Sequence, residues 1–118
     1  MKRAKWLLFQ VGHVGPMMAQ LWHFRVFASE MLPYAIERYE REVLRLFRVL
    51  DKRLAKRNYL LNDYGIADIA TWPWINAYRH LDLSLDAYPN LKRWHALVAA
   101  RPAVQKGLAV PQLERKEA

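Results

Sequence analysis

The sequence predicts an all-α fold, a bundle of about five helices, and two observations carry this prediction. Apolar residues recur at spacings of three and four in long stretches, which is the periodicity of a helix with one buried face. No segment shows the sustained alternation of apolar and polar residues that marks a half-buried strand. The chain has 118 residues, of which 53% are hydrophobic, so it is long enough for one compact domain with its own core.

The first helix is predicted over residues 4–27. Gly12, Gly15 and Pro16 fall inside it, and Pro16 removes a backbone donor, which should kink or break the helix at that point.

The second helix is predicted over residues 33–57 and is the clearest of the set, with Pro33 in its first turn. One apolar face follows from the spacing of Ile36, Tyr39, Val43, Phe47, Leu50 and Leu54. On the polar side, Glu37 with Arg41 and Arg38 with Glu42 are spaced as i,i+4 ion pairs.

Three further helices are predicted over residues 66–81, 89–100 and 102–108, the last two each beginning at a proline. We expect one helical domain over residues 1–111, followed by a charged tail over residues 112–118.

The helix that follows residue 65 begins with its own terminus signal. Gly65 can occupy the N-cap, and the carboxylate of Asp68, three residues later, can accept the N-cap backbone N–H. An acidic residue in the first turn also suits the helix dipole, so we expect Asp68 to be structural rather than catalytic. Pro73 is expected to interrupt this helix about two turns later.

Composition excludes several classes of site. The absence of cysteine rules out disulfides and thiolate metal ligands, and the four histidines lack metal-ligand spacing, so no metal is expected. No apolar run approaches the roughly 20 residues of a membrane helix. The basic start lacks a long apolar region and a cleavage site, so a signal peptide is not expected and we predict a cytoplasmic protein.

The net charge of +8 leaves nucleic-acid binding open. A basic stripe of four residues recurs along the second helix: Arg41, Arg45, Arg48 and Lys52. A solvated helix face has the same pattern, and eleven acidic residues are interleaved with the basic ones, so nucleic acid is the weaker interpretation.

Three motifs in order resemble one known family. They are Gln10-Val-Gly-His-Val-Gly-Pro-Met17 with His23-Phe24; Pro33-Tyr-Ala-Ile-Glu-Arg-Tyr39; and Asp63-Tyr-Gly-Ile-Ala-Asp-Ile-Ala-Thr-Trp-Pro-Trp74, followed by Tyr88-Pro89, Trp94 and Arg101-Pro-Ala-Val104. The pattern resembles the C-terminal helical domain of glutathione transferases, most of all the bacterial nu-class, glutathione-dependent disulfide-bond oxidoreductases. The resemblance covers residues 6–110. Gly65 departs from it, since the family carries Ser or Thr at this N-cap.

The resemblance implies glutathione as ligand and a site shared between subunits. It places Arg38 across the dimer on the partner's glutathione, with Gln20, Tyr34 and Met17 lining the cleft. Periodicity alone predicts instead that Arg38 lies on the surface and forms an ion pair with Glu42.

The resemblance also implies that most of the glutathione site lies in an upstream thioredoxin-like domain, which we expect this chain to lack. We therefore predict little activity alone. Expected partners are a second copy, held through the first two helices, and a thioredoxin-like domain. The alternatives are a stand-alone helical interaction or scaffold module and, less favoured, a basic nucleic-acid binder.

Overall fold

The structure, a computed structural model, describes residues 2–110 and is helical with no strand in that range. The all-α prediction is therefore confirmed. The predicted tail over residues 112–118 lies outside the described residues. Of the helices in residues 2–110, none combines the length and the apolarity needed to cross a membrane.

The first helical segment is continuous but changes its winding twice. It consists of α1 (Lys2–Phe9), a π-helical turn (Gln10–Val14), α2 (Gly15–Trp22) and a second π-helical turn (His23–Phe27). The Gly15 N–H bonds to the carbonyl of Gln10, five residues back. Pro16 follows directly and has no N–H to contribute, so the disturbance that the sequence predicts here is a widened turn and not a break.

Helix α3 (Pro33–Arg53) ends four residues before the predicted end at residue 57. Residues 54–57 instead form tight turns, in which the Ala55 N–H donates to the carbonyl of Lys52 and the Arg57 N–H donates to the carbonyl of Leu54. Arg93 of a later helix donates to the carbonyls of Leu54 and Arg57 over 2.6 and 2.7 Å. These donors replace the bonds of a further helical turn.

The remaining helices are α4 (Ile66–Asn76), α5 (Pro89–Ala99) and α6 (Pro102–Ala109). A 3₁₀ turn (Ala77–His80) continues α4, so the predicted helix to residue 81 is α-helical only to Asn76. The expected interruption at Pro73 is wrong, since α4 runs through it. Pro73 is exposed, so the backbone carbonyl that its ring leaves without a donor can bond to water.

The core lies between α2, α3, α4 and α5, with α4 packed against both α1 and α5. Fully buried side chains come from α2, α3, α4 and α5, and they include Met18, Leu21, Phe47, Leu50, Ile75, Leu91 and Trp94. Asp51 of α3 accepts the backbone N–H groups of Asn90 and Leu91 over 2.8 and 3.0 Å, which caps α5 from a neighbouring helix.

Candidate functional site

A cavity of about 520 Å³ opens between α2 and the first half of α3. It is lined by Met17, Arg38, Tyr39, Arg41 and Glu42. Met17 and Tyr39 are half-buried and form its apolar part, and Tyr39 is held by stacking on Phe24, with ring centroids 5.5 Å apart. The three charged side chains come from two turns of one helix, because positions 38, 41 and 42 share a face.

Two ion pairs on α3 neutralise most of the charge at this cavity. Arg41 donates to Glu37 over 2.7 Å, as predicted from the i,i+4 spacing. Glu42 is bound through both oxygens by Arg45, over 2.6 and 3.0 Å. These bonds from Arg45 hold the pKa of Glu42 below its usual value, although burial opposes the shift.

The predicted pair between Arg38 and Glu42 is wrong. Helical side chains lean toward the helix N-terminus, so Arg45 reaches back to Glu42 and binds both of its oxygens, and this contact takes the place of the pair with Arg38. Within residues 2–110, Arg38 has no ion-pair partner, and its side chain is exposed at the cavity.

The structure brings together only part of the predicted cleft. Met17 and Arg38 line the same cavity, whereas Gln20 and Tyr34 do not contribute to its lining and are exposed elsewhere on α2 and α3. Tyr39, Arg41 and Glu42 were not predicted to belong to it. The helical spacing from Arg38 contains the signal for the last two, since they lie three and four residues further along.

Gly65 and Asp68 lie at the start of α4, away from this cavity. Gly65 is the N-cap residue, and its N–H donates to Asp68 Oδ2 over 3.1 Å. Glycine has no side-chain oxygen, so the reciprocal bond of a capping box is missing. Asp68 is 1% exposed and accepts two more hydrogen bonds, from the Leu60 N–H and the Trp94 indole.

The histidines have packing partners rather than metal geometry. Across the described residues, no three His, Asp or Glu side chains gather in a way that could hold a metal ion. His95 stacks on Trp72 and bonds through Nε2 to Asn76 Oδ1 over 2.9 Å. Burial, followed by the nearby charge of Arg79, lowers the pKa of His95.

The basic stripe on α3 is partly neutralised. Of its four members, Arg41 and Arg45 are engaged by Glu37 and Glu42. A face that tracks phosphates needs its cations available, so these pairs disfavour the nucleic-acid interpretation.

An apolar strip lies between α2 and α4. Two shallow cavities of about 330 and 310 Å³ share Ala19 and Trp74 in their linings, which are almost entirely apolar. Val11 of the first π-helical turn lines the second of these cavities and is exposed, as is Leu8 of α1. Exposed apolar residues that lie together in this way are suited to contact with another domain or another protein.

Residues 16–102 match the glutathione S-transferase C-terminal domain. The chain belongs to the glutathione S-transferase family. The predicted family resemblance is therefore confirmed.

Relatives of this glutathione transferase domain are about twice its length. The Escherichia coli disulfide-bond oxidoreductase YfcG is 46% identical over 110 residues, covering 92% of this chain and 51% of YfcG. A Lodderomyces elongisporus glutathione transferase homolog, solved with two GSH per subunit, superposes with a TM-score of 0.89 at 34% sequence identity. The match covers 93% of this chain and 53% of the homolog. A Burkholderia graminis glutathione transferase, solved with two glutathione molecules per subunit, superposes with a TM-score of 0.83 at 38% sequence identity. That match covers 93% of this chain and 49% of the Burkholderia protein. The chain spans about half the length of these relatives.

Proposed function

We propose that this domain is the helical half of a glutathione-dependent transferase or disulfide-bond oxidoreductase, in which Arg38 binds a carboxylate of glutathione. The observation that carries the proposal is the charge pattern at the α2–α3 cavity. Arg41 and Glu42 are engaged by other residues there, and Arg38 is the cation of the cavity that forms no ion pair with a described carboxylate. Glutathione carries two carboxylates, and a guanidinium fork binds a carboxylate through two parallel hydrogen bonds.

We place Arg38 across a homodimer, so that it completes the site of the partner subunit. The segment leading into α3 supports this arrangement, because Met31 and Tyr34 are 81% and 75% exposed and Leu32 is also exposed. Large apolar side chains so close together are typical of a surface that a second subunit covers. Arg38 lies one helical turn after Tyr34 on α3, so an interface there brings it to the subunit boundary.

We propose that a thioredoxin-like domain covers the apolar strip between α2 and α4 and supplies the rest of the site. This chain has no cysteine, and in the family resemblance the group that faces the glutathione thiol belongs to that domain. The chain alone would then bind glutathione weakly, in the cytoplasm where reduced glutathione is available, and would turn over little or no substrate. Appreciable conjugating or disulfide-reductase turnover by the purified chain would refute this part of the proposal.

A second candidate function is a stand-alone helical interaction module. The exposed apolar residues favour it as much as they favour contact with a thioredoxin-like domain. The two functions differ at Arg38, because a scaffold does not require a guanidinium that is available to a ligand carboxylate.

Glutathione titration followed by amide NMR tests the proposal and separates the two functions. We expect millimolar glutathione to shift amides of α2 and α3 around the cavity, and Arg38→Ala to weaken binding about tenfold or more, because charge-assisted hydrogen bonds are lost. Arg48→Ala is the matched control, since it removes an exposed arginine from the same helix without touching the cavity. No shift in the wild type, or equal shifts in wild type and Arg38→Ala, would contradict the proposed role of Arg38.

A further inference from the structure

Glu42 lines the same cavity as Arg38, and its carboxylate could compete with a ligand carboxylate for the Arg38 guanidinium. The two residues are four positions apart on one face of α3. A carboxylate at this spacing is within reach of a guanidinium, and an i,i+4 pair of opposite charges is favourable even at a helix surface. If Glu42 bound Arg38, a carboxylate of the ligand would first have to displace it.

Arg45 binds the carboxylate of Glu42 from outside the cavity. Its Nη2 lies 2.6 Å from Glu42 Oε1 and its Nε lies 3.0 Å from Oε2, so both carboxylate oxygens are bound at once by the planar guanidinium. A two-point contact of this kind fixes orientation as well as charge. Arg45 itself does not line the cavity.

We propose that Arg45 is a positioning residue, which holds Glu42 away from Arg38 so that Arg38 stays available for a carboxylate of the ligand. This inference rests on the proposed function of Arg38. It adds a second arginine that the ligand does not touch, and it assigns Glu42 the role of a gate: bound to Arg45 it leaves the site open, and bound to Arg38 it closes the site.

The simpler alternative is that Arg45 attracts an anionic ligand through its charge alone. Arg48 separates the two explanations, because it is exposed on the same helix one turn further along and has no ion pair within the described residues. Long-range attraction predicts similar losses from Arg45→Gln and Arg48→Gln. Positioning predicts a loss from Arg45→Gln alone, which the second change Glu42→Gln then reverses.

The first test needs no ligand. We would follow the side-chain Nε–H resonance of Arg38 by NMR in the wild type, Arg45→Gln, and the double variant Arg45→Gln with Glu42→Gln. The inference predicts that Arg45→Gln moves the Arg38 resonance, because Glu42 turns to Arg38, and that the double variant returns it toward the wild-type position. An Arg38 resonance that is the same in all three proteins would overturn the inference.

The second test is glutathione binding by the same proteins. We expect Arg45→Gln to weaken binding about two- to fivefold, the range of an exposed ion pair. Arg48→Gln should bind like the wild type, and adding Glu42→Gln to Arg45→Gln should restore the binding that Arg45→Gln loses. The affinity of Arg45→Lys should lie between those of the wild type and Arg45→Gln, since an ammonium binds the carboxylate as a point charge. Wild-type affinity in Arg45→Gln overturns the inference if Arg38→Ala has lost binding. Wild-type affinity in Arg38→Ala means instead that the proposed function has failed.

Discussion

The Trp94 indole donates its Nε1–H to Asp68 Oδ1 over 2.8 Å, and this buried bond joins α5 to the first turn of α4. The same oxygen accepts the Leu60 N–H over 3.0 Å, and Oδ2 accepts the Gly65 N–H over 3.1 Å. One carboxylate thus organises the loop before α4, the N-terminus of α4 and the inner face of α5. Asp68 is therefore placed to hold the fold together rather than to perform chemistry.

Removing this carboxylate should be among the most damaging single changes in the domain. Asp68→Ala leaves three donors without a partner, and we expect the free energy of unfolding to fall by about 3 kcal/mol or more, because unpaired buried donors are costly. Asp68→Asn keeps one accepting oxygen and should cost less. Chemical denaturation monitored by tryptophan fluorescence measures both.

The Trp94 bond can be isolated with a double-mutant cycle. Trp94→Phe removes the donor and keeps much of the ring, and Asp68→Ala removes the acceptor, so the effects of these two changes should be non-additive. Strictly additive losses of stability would show that the two side chains do not act through their bond.

The N-cap of α4 offers a stabilising change. Gly65 has an extended backbone with φ of −158°, and an added Cβ would come no closer than 3.8 Å to the Asp63 carbonyl oxygen. Gly65→Ser therefore fits and supplies the missing capping oxygen. We expect a gain of about 0.5 to 1 kcal/mol in the free energy of unfolding.

Gly65→Ala is the control for the cap, because it adds the same Cβ and restricts the unfolded chain but offers no oxygen. Thermal unfolding should rank Ser above Ala. A melting temperature for Gly65→Ser at or below that of Gly65→Ala would show that the added hydroxyl does not cap the helix.

Stability should fall on mild acidification because of His95. Its ring is stacked on Trp72, and burial lowers its pKa below the ordinary value of 6.5. The unfolded chain therefore takes up a proton at higher pH than the folded one. The resulting stabilisation is fully present above about pH 6.5 and is lost as the pH falls through the lowered pKa of the folded state.

Urea unfolding at pH 7.5, 6.5 and 5.5 measures this dependence. His95→Gln should flatten it, because it removes the half-buried imidazole. An unchanged slope in His95→Gln would assign the pH dependence to other groups.

Self-association should depend on the exposed apolar residues before α3. We expect light scattering to give about twice the 14.0 kDa of the chain, and Met31→Asp to shift the mass toward the monomer, because a charge would be buried in the interface. Leu97→Asp places the same charge on an exposed residue of α5, away from this surface, and should leave the mass unchanged. A wild-type monomer at high concentration would contradict the homodimer.

The sequence predicts much of the fold because the decisive signals are local. Periodicity along residues 33–57 predicts α3 and its buried face, and Pro16 predicts a disturbance where the π-helical turn forms. The end of α3 was misplaced because Arg93, some forty residues later, supplies donors to its last turns. Periodicity within one segment contains no information about a side chain from another helix.

The candidate site is likewise predicted only in part from local sequence signals. The motif around Arg38 points to the right helix, and the spacing predicts the pair of Glu37 with Arg41. The choice of Glu42 between Arg38 and Arg45 depends on the direction in which helical side chains lean, which spacing alone does not express. Three-dimensional placement also separates Gln20 and Tyr34 from the cavity, although they are close to its other residues in sequence.

The side-chain resonance of Arg38 during a glutathione titration tests the central claim most directly. With arginine side chains labelled, we predict that the Nε–H signal of Arg38 moves progressively and saturates with the same dissociation constant as the amides around the cavity, while that of Arg48 stays in place. An Arg38 signal that does not move, or that moves only in parallel with Arg48, would contradict the claim that this guanidinium binds a carboxylate of glutathione.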